Sequence, residues 1–160
     1  MIMGDIALIW SDDNLGDILT ADFDLQTDEG LQTAVLVSLF TDRRAAIGEE
    51  LPAGETNRRG WWGDVAPEVP GDVIGSRLWL LFREKKLADV IVRANEYARE
   101  ALQWLIDDRV ASRVDVQAEA IRAGESDALA IQVAVYRPRG DAVQFRYNYA
   151  WQSQAAKIGQ

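Results

Sequence analysis

The sequence predicts an α+β fold with an N-terminal hairpin, two or three helices including one long amphipathic helix, and a C-terminal three-stranded antiparallel meander. Three observations predict it. An apolar stripe at helical spacing runs from Leu87 to about Asp107. From Val114 onward the apolar period drops to two in three successive runs. The 160 residues, 48% apolar and 27% charged, suit one globular domain spanning 1–160.

In chain order, Ile6, Leu8 and Trp10 alternate with other residues and read as a short strand. Ser11 to Asp17 is turn material, rich in Asp, Asn and Gly. Alternation returns over Ala21-Asp22-Phe23-Asp24-Leu25, so a hairpin of 6–10 with 21–25 is expected. Thr27 or Asp28 can cap a helix, with Leu31, Val35, Leu36, Leu39 and Phe40 on its buried face to about Arg43.

Residues 48–75 hold six of the twelve Gly and three of the four Pro. A loop of that length inside a compact domain is expected to be functional or ordered by a partner. It carries Arg58-Arg59-Gly60-Trp61-Trp62-Gly63-Asp64, and Trp and Arg are enriched at interface hot spots. Ser76 can cap a further helix to Lys86, with Leu78, Leu81 and Phe82 inward. In the long helix that follows, Leu87, Val90, Ile91, Ala94, Tyr97, Ala98, Ala101, Leu102, Leu105 and Ile106 form one stripe, opposite Arg93, Glu96, Arg99, Glu100 and Gln103. The meander runs through Val114–Ala120, Leu129–Tyr136 and Val143–Tyr149, with turns at 123–127 and 137–141.

Composition excludes several chemistries. With no His and no Cys, the chain has no Ser-His-Asp or Cys-His catalytic set, no thiol redox chemistry and no Cys/His zinc site. No cofactor and no metal are expected. No apolar run approaches the roughly 20 residues of a membrane span, and the first five residues lack a signal-peptide pattern. No membrane partner and synthesis in the cytoplasm are expected. The net charge is −9, and residues 1–30 carry eight acids and no base. Such a segment repels phosphates, so no nucleic acid partner is expected, and a basic protein surface suits it better. A solvated, solubilising face explains it equally well.

The acid pairs Asp107-Asp108 and Asp22/Asp24 are the candidates for general acid/base work. Adjacent residues at a helix end point in different directions, and exposed solubilising acids are the default. Arg139-Gly140-Asp141 sits where a hairpin needs a turn. Arg43, Arg44, Arg58 and Arg59 form a possible basic patch suited to bidentate salt bridges within the chain or across an interface. Phe145, Tyr147, Tyr149 and Trp151 lie on the last strand. They serve a core, or a partner's strand if that strand is a sheet edge.

Four stretches stand together: Thr33-Ala34-Val35-Leu36-Val37-Ser38-Leu39-Phe40-Thr41-Asp42-Arg43-Arg44-Ala45, Arg59-Gly60-Trp61-Trp62-Gly63-Asp64, Gly75-Ser76-Arg77-Leu78-Trp79-Leu80-Leu81, and Tyr97-Ala98-Arg99-Glu100-Ala101-Leu102-Gln103-Trp104-Leu105. Over roughly residues 5–150 the sequence resembles the Mu-like phage tail protein family. More distantly it is similar to the baseplate wedge, or sheath-initiator, proteins of contractile tails. Those carry Glu-Pro-Arg at the end of the long helix, where this chain has Asp107-Asp108-Arg109 and no Pro.

The resemblance implies a structural, non-enzymatic protein of the virion's tail baseplate. Its implied partners are larger wedge proteins, the tail sheath protein and central hub or tube proteins. Arg58, Arg59, Trp61, Trp62, Asp64, Arg43 and Arg44 are the expected wedge contacts. Residues 143–151, with Phe145, Tyr147, Tyr149 and Trp151, are expected to accept a strand. The alternative is a cell-wall glycan hydrolase using an Asp/Glu pair.

Overall fold

The computed structural model describes residues 5–6, 8–10, 16–18, 20–21, 24–25, 27–28, 30–52, 54–67, 69–82, 87–123, 126–140 and 142–150. Near the N-terminus, short antiparallel pairs form: β1 (Asp5–Ile6) with β6 (Thr27–Asp28), β2 (Leu8–Trp10) with β3 (Gly16–Ile18), and β4 (Thr20–Ala21) with β5 (Asp24–Leu25). Among the described residues no pairing of 6–10 with 21–25 is present, and Asp22 and Phe23 of the expected hairpin lie outside them. Ile6 lies opposite Thr27 and Leu8 opposite Ile18. Alternation tells which residues share a face, but not which of several short runs becomes the partner.

Helix α1 (Leu31–Phe40) starts after Gly30, whose φ of 82° is left-handed, with no side-chain cap. The expected caps Thr27 and Asp28 are instead held in β6. Val35, Leu36 and Leu39 are buried, whereas Leu31 and Phe40 are partly buried against the same core. The Leu8 N–H donates to Thr33 Oγ1 at 3.2 Å, which ties β2 to α1.

Ser76 does not open an α-helix. Its Oγ accepts from the Leu78 N–H at 3.2 Å and donates to the Leu39 carbonyl, and a single 3-10 turn follows over Leu78–Leu81. All four side chains of that turn are buried. A segment enclosed on every side needs no amphipathic period, so a short tight turn satisfies it. Residues 83–86 of the expected helix lie outside the described residues.

Helix α2 (Leu87–Leu102) buries Val90, Ala94, Tyr97, Ala98, Ala101 and Leu102 of the predicted stripe, while Ile91 is partly buried and Leu87, at the helix start, is exposed. The helix does not run unbroken to Asp107. At Gln103 the hydrogen bonds tighten, with the Gln103 N–H reaching Glu100 O at 3.3 Å, and a short α3 (Trp104–Asp107) continues. The Trp104 Nε1–H donates to Ser38 Oγ at 3.0 Å, linking α3 to α1.

The meander is β7 (Arg113–Ala123), β8 (Ser126–Tyr136) and β9 (Ala142–Ala150), with β8 central and both pairings antiparallel. Val116 and Ala118 of β7, Leu129, Ile131, Val133 and Val135 of β8, and Tyr147 of β9 share one face and join the helices in one core. Ala120, expected on the buried face, is exposed. Ala128 and Ala130 on the opposite face are buried as well. Ala130 stands between Glu119 and Asn148 in register. Long neighbours such as Glu119 and Arg146, paired at 2.9 Å, overhang such small residues.

Candidate protein-protein interface

The Gly- and Pro-rich loop is built against the segment that leaves α1. The Ser76 N–H donates to Thr41 O and the Arg43 N–H to Ser76 O, each at 2.9 Å, and the Ala45 N–H donates to Arg58 O at 2.9 Å. Residues 41–46 therefore run between 76 on one side and 58–60 on the other. Gly60, at φ 110°, lies against Arg44, where a Cβ would stand 2.9 Å from the Arg44 Cβ. Both the dihedral and the close approach require glycine there.

Arg59 fastens this arrangement. Its Nη1 lies 3.0 Å from Asp42 Oδ2 and its Nη2 lies 3.2 Å from Glu55 Oε1. Its guanidinium stacks over the Trp79 ring at 4.5 Å. The Arg59 backbone is left-handed, with φ 51°, and its N–H donates to Asn57 Oδ1 at 2.8 Å. A non-glycine residue in that region needs surroundings that hold it there. Burial alone would lower the Arg59 pKa, but the hydrogen bonds and charges of Asp42 and Glu55 outweigh it and raise the value.

The two Trp follow directly. Trp61 packs over Gly63, where a Cβ would fall 2.0 Å from the indole, so only glycine lets the ring lie there. The indoles of Trp61 and Trp62 are tilted with centroids 5.3 Å apart. Trp61 is 37% exposed and Trp62 81% exposed. Val65 and Val69 add further exposed apolar surface on this loop. A contiguous run of large exposed apolar side chains marks an interaction site more often than a lone one does. Asp64 faces inward from a 3-10 turn (Trp62–Val65). Its Oδ1 accepts from the Ile74 N–H at 3.1 Å and closes the loop on itself, and its Oδ2 is buried without a hydrogen-bond partner.

The four arginines of the expected basic patch fall into two classes. Arg43 and Arg59 are neutralised internally, Arg43 by Glu100 at 3.5 Å. Arg44 donates only to Arg59 O at 3.4 Å, and Arg58 only to Ala46 O. Among the described residues neither of these two meets a carboxylate.

A second polar cluster escaped sequence reasoning. Arg77 binds Glu49 Oε1 at 2.6 Å and Glu100 Oε2 through two nitrogens, and it stacks over the Tyr97 ring at 4.7 Å. The Tyr97 hydroxyl donates to Glu49 Oε1 at 3.0 Å and accepts from Arg93 Nη2 at 2.9 Å. Burial pushes the Glu49 carboxyl up. The Ala46 N–H, Arg77 and Tyr97 donors with the Arg77 charge pull it further down, so its pKa lies below the ordinary value. Burial raises the Tyr97 pKa. Glu49 and Arg77 lie 28 positions apart and well before Arg93, Tyr97 and Glu100 of α2, and the helical pattern placed those three on its two faces without pointing to either partner.

On the sheet, β9 is one edge and β7 the other. Arg99 Nη2 donates to Val116 O at 3.3 Å and the Ala118 N–H donates to Asn95 Oδ1 at 3.1 Å, so α2 occupies the outer edge of β7. By antiparallel alternation, Val116 and Ala118 direct their backbone groups outward, and so do Gln144 and Arg146 two strands away. Tyr147 is buried edge-on against Phe40, with centroids 5.4 Å apart, and Phe145 stacks beside it at half burial. Tyr149 continues β9, and Trp151 lies outside the described residues.

Of the acid pairs, Asp107 and Asp108 are exposed at the end of α3, where Asp107 Oδ1 accepts from Gln103 Nε2 at 3.0 Å. Asp24 belongs to β5, and Asp22 lies outside the described residues. Among the described residues no group of three or more Asp or Glu could hold a metal ion, and no helix is long and apolar enough to cross a membrane.

A family model described as "Phage protein GP46" matches residues 31–142, from α1 to the first residue of β9. "Baseplate protein gp46" of Escherichia phage Mu is 43% identical over 149 residues, covering 93% of this chain and 98% of the relative. "Mu-like prophage FluMu protein gp46" of Haemophilus influenzae is 37% identical over 149 residues with the same coverage.

Proposed function

This chain belongs to the GP46 family of phage proteins, and from that premise we propose that it is a structural component of a phage tail baseplate. It joins larger wedge proteins through the loop carrying Trp61 and Trp62, and it starts the tail sheath by accepting a strand along β9 of a contractile tail. The relative from phage Mu is named for the baseplate. The observation that carries the reading is a pair of indoles turned outward on a loop that Arg59, Asp42, Glu55 and Trp79 hold in place.

Physical chemistry favours such a site. An indole buries a large apolar area with few rotatable bonds, so little ordering entropy is lost on docking. A pre-set loop lowers that loss again. The sheet edge supplies a complementary mode. A backbone ladder does not depend on side-chain detail and persists while the joined bodies reorient. Among the described residues α2 occupies the outer edge of β7, which favours β9 as the edge that accepts a strand.

The experiment is the Trp61→Ala/Trp62→Ala double variant, supplied in place of the native protein during phage production. Melting of the purified variant stays within a few degrees of wild type, because both side chains are exposed. Baseplate assembly fails, and tails lack the protein. Normal particles containing the variant would remove the loop from the account.

A further inference from the structure

Resting on the reading of the Trp loop as a docking site, we propose that its partner is a different tail protein presenting an apolar socket flanked by carboxylates, and that Arg44 and Arg58 read those carboxylates. The argument is charge complementarity. The arginines around this loop are neutralised selectively: Arg59 meets Asp42 and Glu55, Arg43 meets Glu100, and Arg77 meets Glu49 and Glu100. In a chain of net charge −9, Arg44 and Arg58 nonetheless lack a carboxylate among the described residues.

Both belong to the segments that carry and flank the indole loop. Arg44 touches Gly60, the neighbour of Trp61, and Arg58 precedes Trp61 by three residues. Each is oriented by a carbonyl, Arg44 by Arg59 O and Arg58 by Ala46 O. A guanidinium anchored through one nitrogen keeps others for a bidentate carboxylate contact. An apolar centre with a charged rim is the usual anatomy of a specific interface, and the rim selects the partner. The partner surface therefore needs carboxylates bordering the pocket that takes Trp62.

Two measurements test this. In the first, Arg44→Glu/Arg58→Glu and Arg44→Lys/Arg58→Lys are compared for incorporation into tails, beside the double Trp variant. We expect the Glu pair to lower incorporation by about ten-fold or more, and the Lys pair, which keeps the charge but loses the bidentate fork, to lower it by less than the Glu pair. In the second, Val65 is replaced by photocrosslinking p-benzoylphenylalanine in phage-producing cells, and the captured peptide is sequenced. We expect a segment of another tail protein with two or more Asp or Glu flanking apolar residues. That arm remains informative if the Glu pair fails to fold. Normal incorporation of the Glu pair while the Trp variant is excluded overturns this proposal and leaves the docking role standing. Normal incorporation of all the variants overturns both. Crosslinks to a basic segment, or to a second copy of this chain, also overturn the proposal.

Discussion

Glu49 shows how single residues hold the loop in position. One carboxylate accepts hydrogen bonds from the Ala46 N–H, Arg77 and Tyr97, so it fixes the loop's first turn to α2. Its pKa lies below the ordinary value in the folded chain. The stabilisation is therefore fully present above the unfolded-state pKa of about 4.3 and is lost as pH falls through the lower, folded value. The Glu49→Gln variant is expected to be less stable by roughly 1–3 kcal/mol at pH 7, because hydrogen bonds to a charged group are weakened. Urea denaturation at pH 7 and near pH 3 checks it: the gap between wild type and variant narrows at the acid end. A gap of equal size at both would show that the charge of Glu49 is not what matters. None of this was legible in the sequence. A Glu in a Gly-rich loop looks like any solvated acid, and its partners arrive from positions 46, 77 and 97 only once the chain folds. Arg59 was legible as a salt-bridge former within the chain or across an interface, and the structure directs its guanidinium to Asp42, Glu55 and Trp79 within the chain.

Elements were legible where their apolar pattern extends over several turns or repeats. The α2 stripe and the three alternating runs of the meander are long, and each excludes the other period. Boundaries and short elements were less so. Apolar residues continue past Leu102 into Leu105 and Ile106, so the tightening at Gln103 leaves no trace in the pattern. Leu78 to Leu81 are all apolar because all are enclosed, and such a run has no period to read. The N-terminal strands are two or three residues long, and several partners fit each one equally well. The energetics follow burial. Leu102 is fully buried within the shared core, so Leu102→Ala is expected to cost roughly 2–5 kcal/mol through lost transfer energy and a cavity. Val92, on the same helix, is 58% exposed. Val92→Ala should change stability by less than about 0.5 kcal/mol. Thermal or urea unfolding of the two variants side by side distinguishes a helix packed on one face from one packed all round.

At the scale of the whole molecule, the proposed contact surfaces lie on the outside of the described residues. The helices and one face of the sheet form the core, while the indole pair and the β9 edge lie away from it. The family relationship, the twin indoles, and Arg44 and Arg58, which meet no carboxylate among the described residues, support the proposed role of connecting neighbours. A density map of the assembled tail tests that claim most directly. The account predicts Trp61 and Trp62 covered by an adjacent tail protein, with another chain's strand hydrogen-bonded along β9. A baseplate in which both indoles face solvent and no strand from another chain lies along β9 would contradict it.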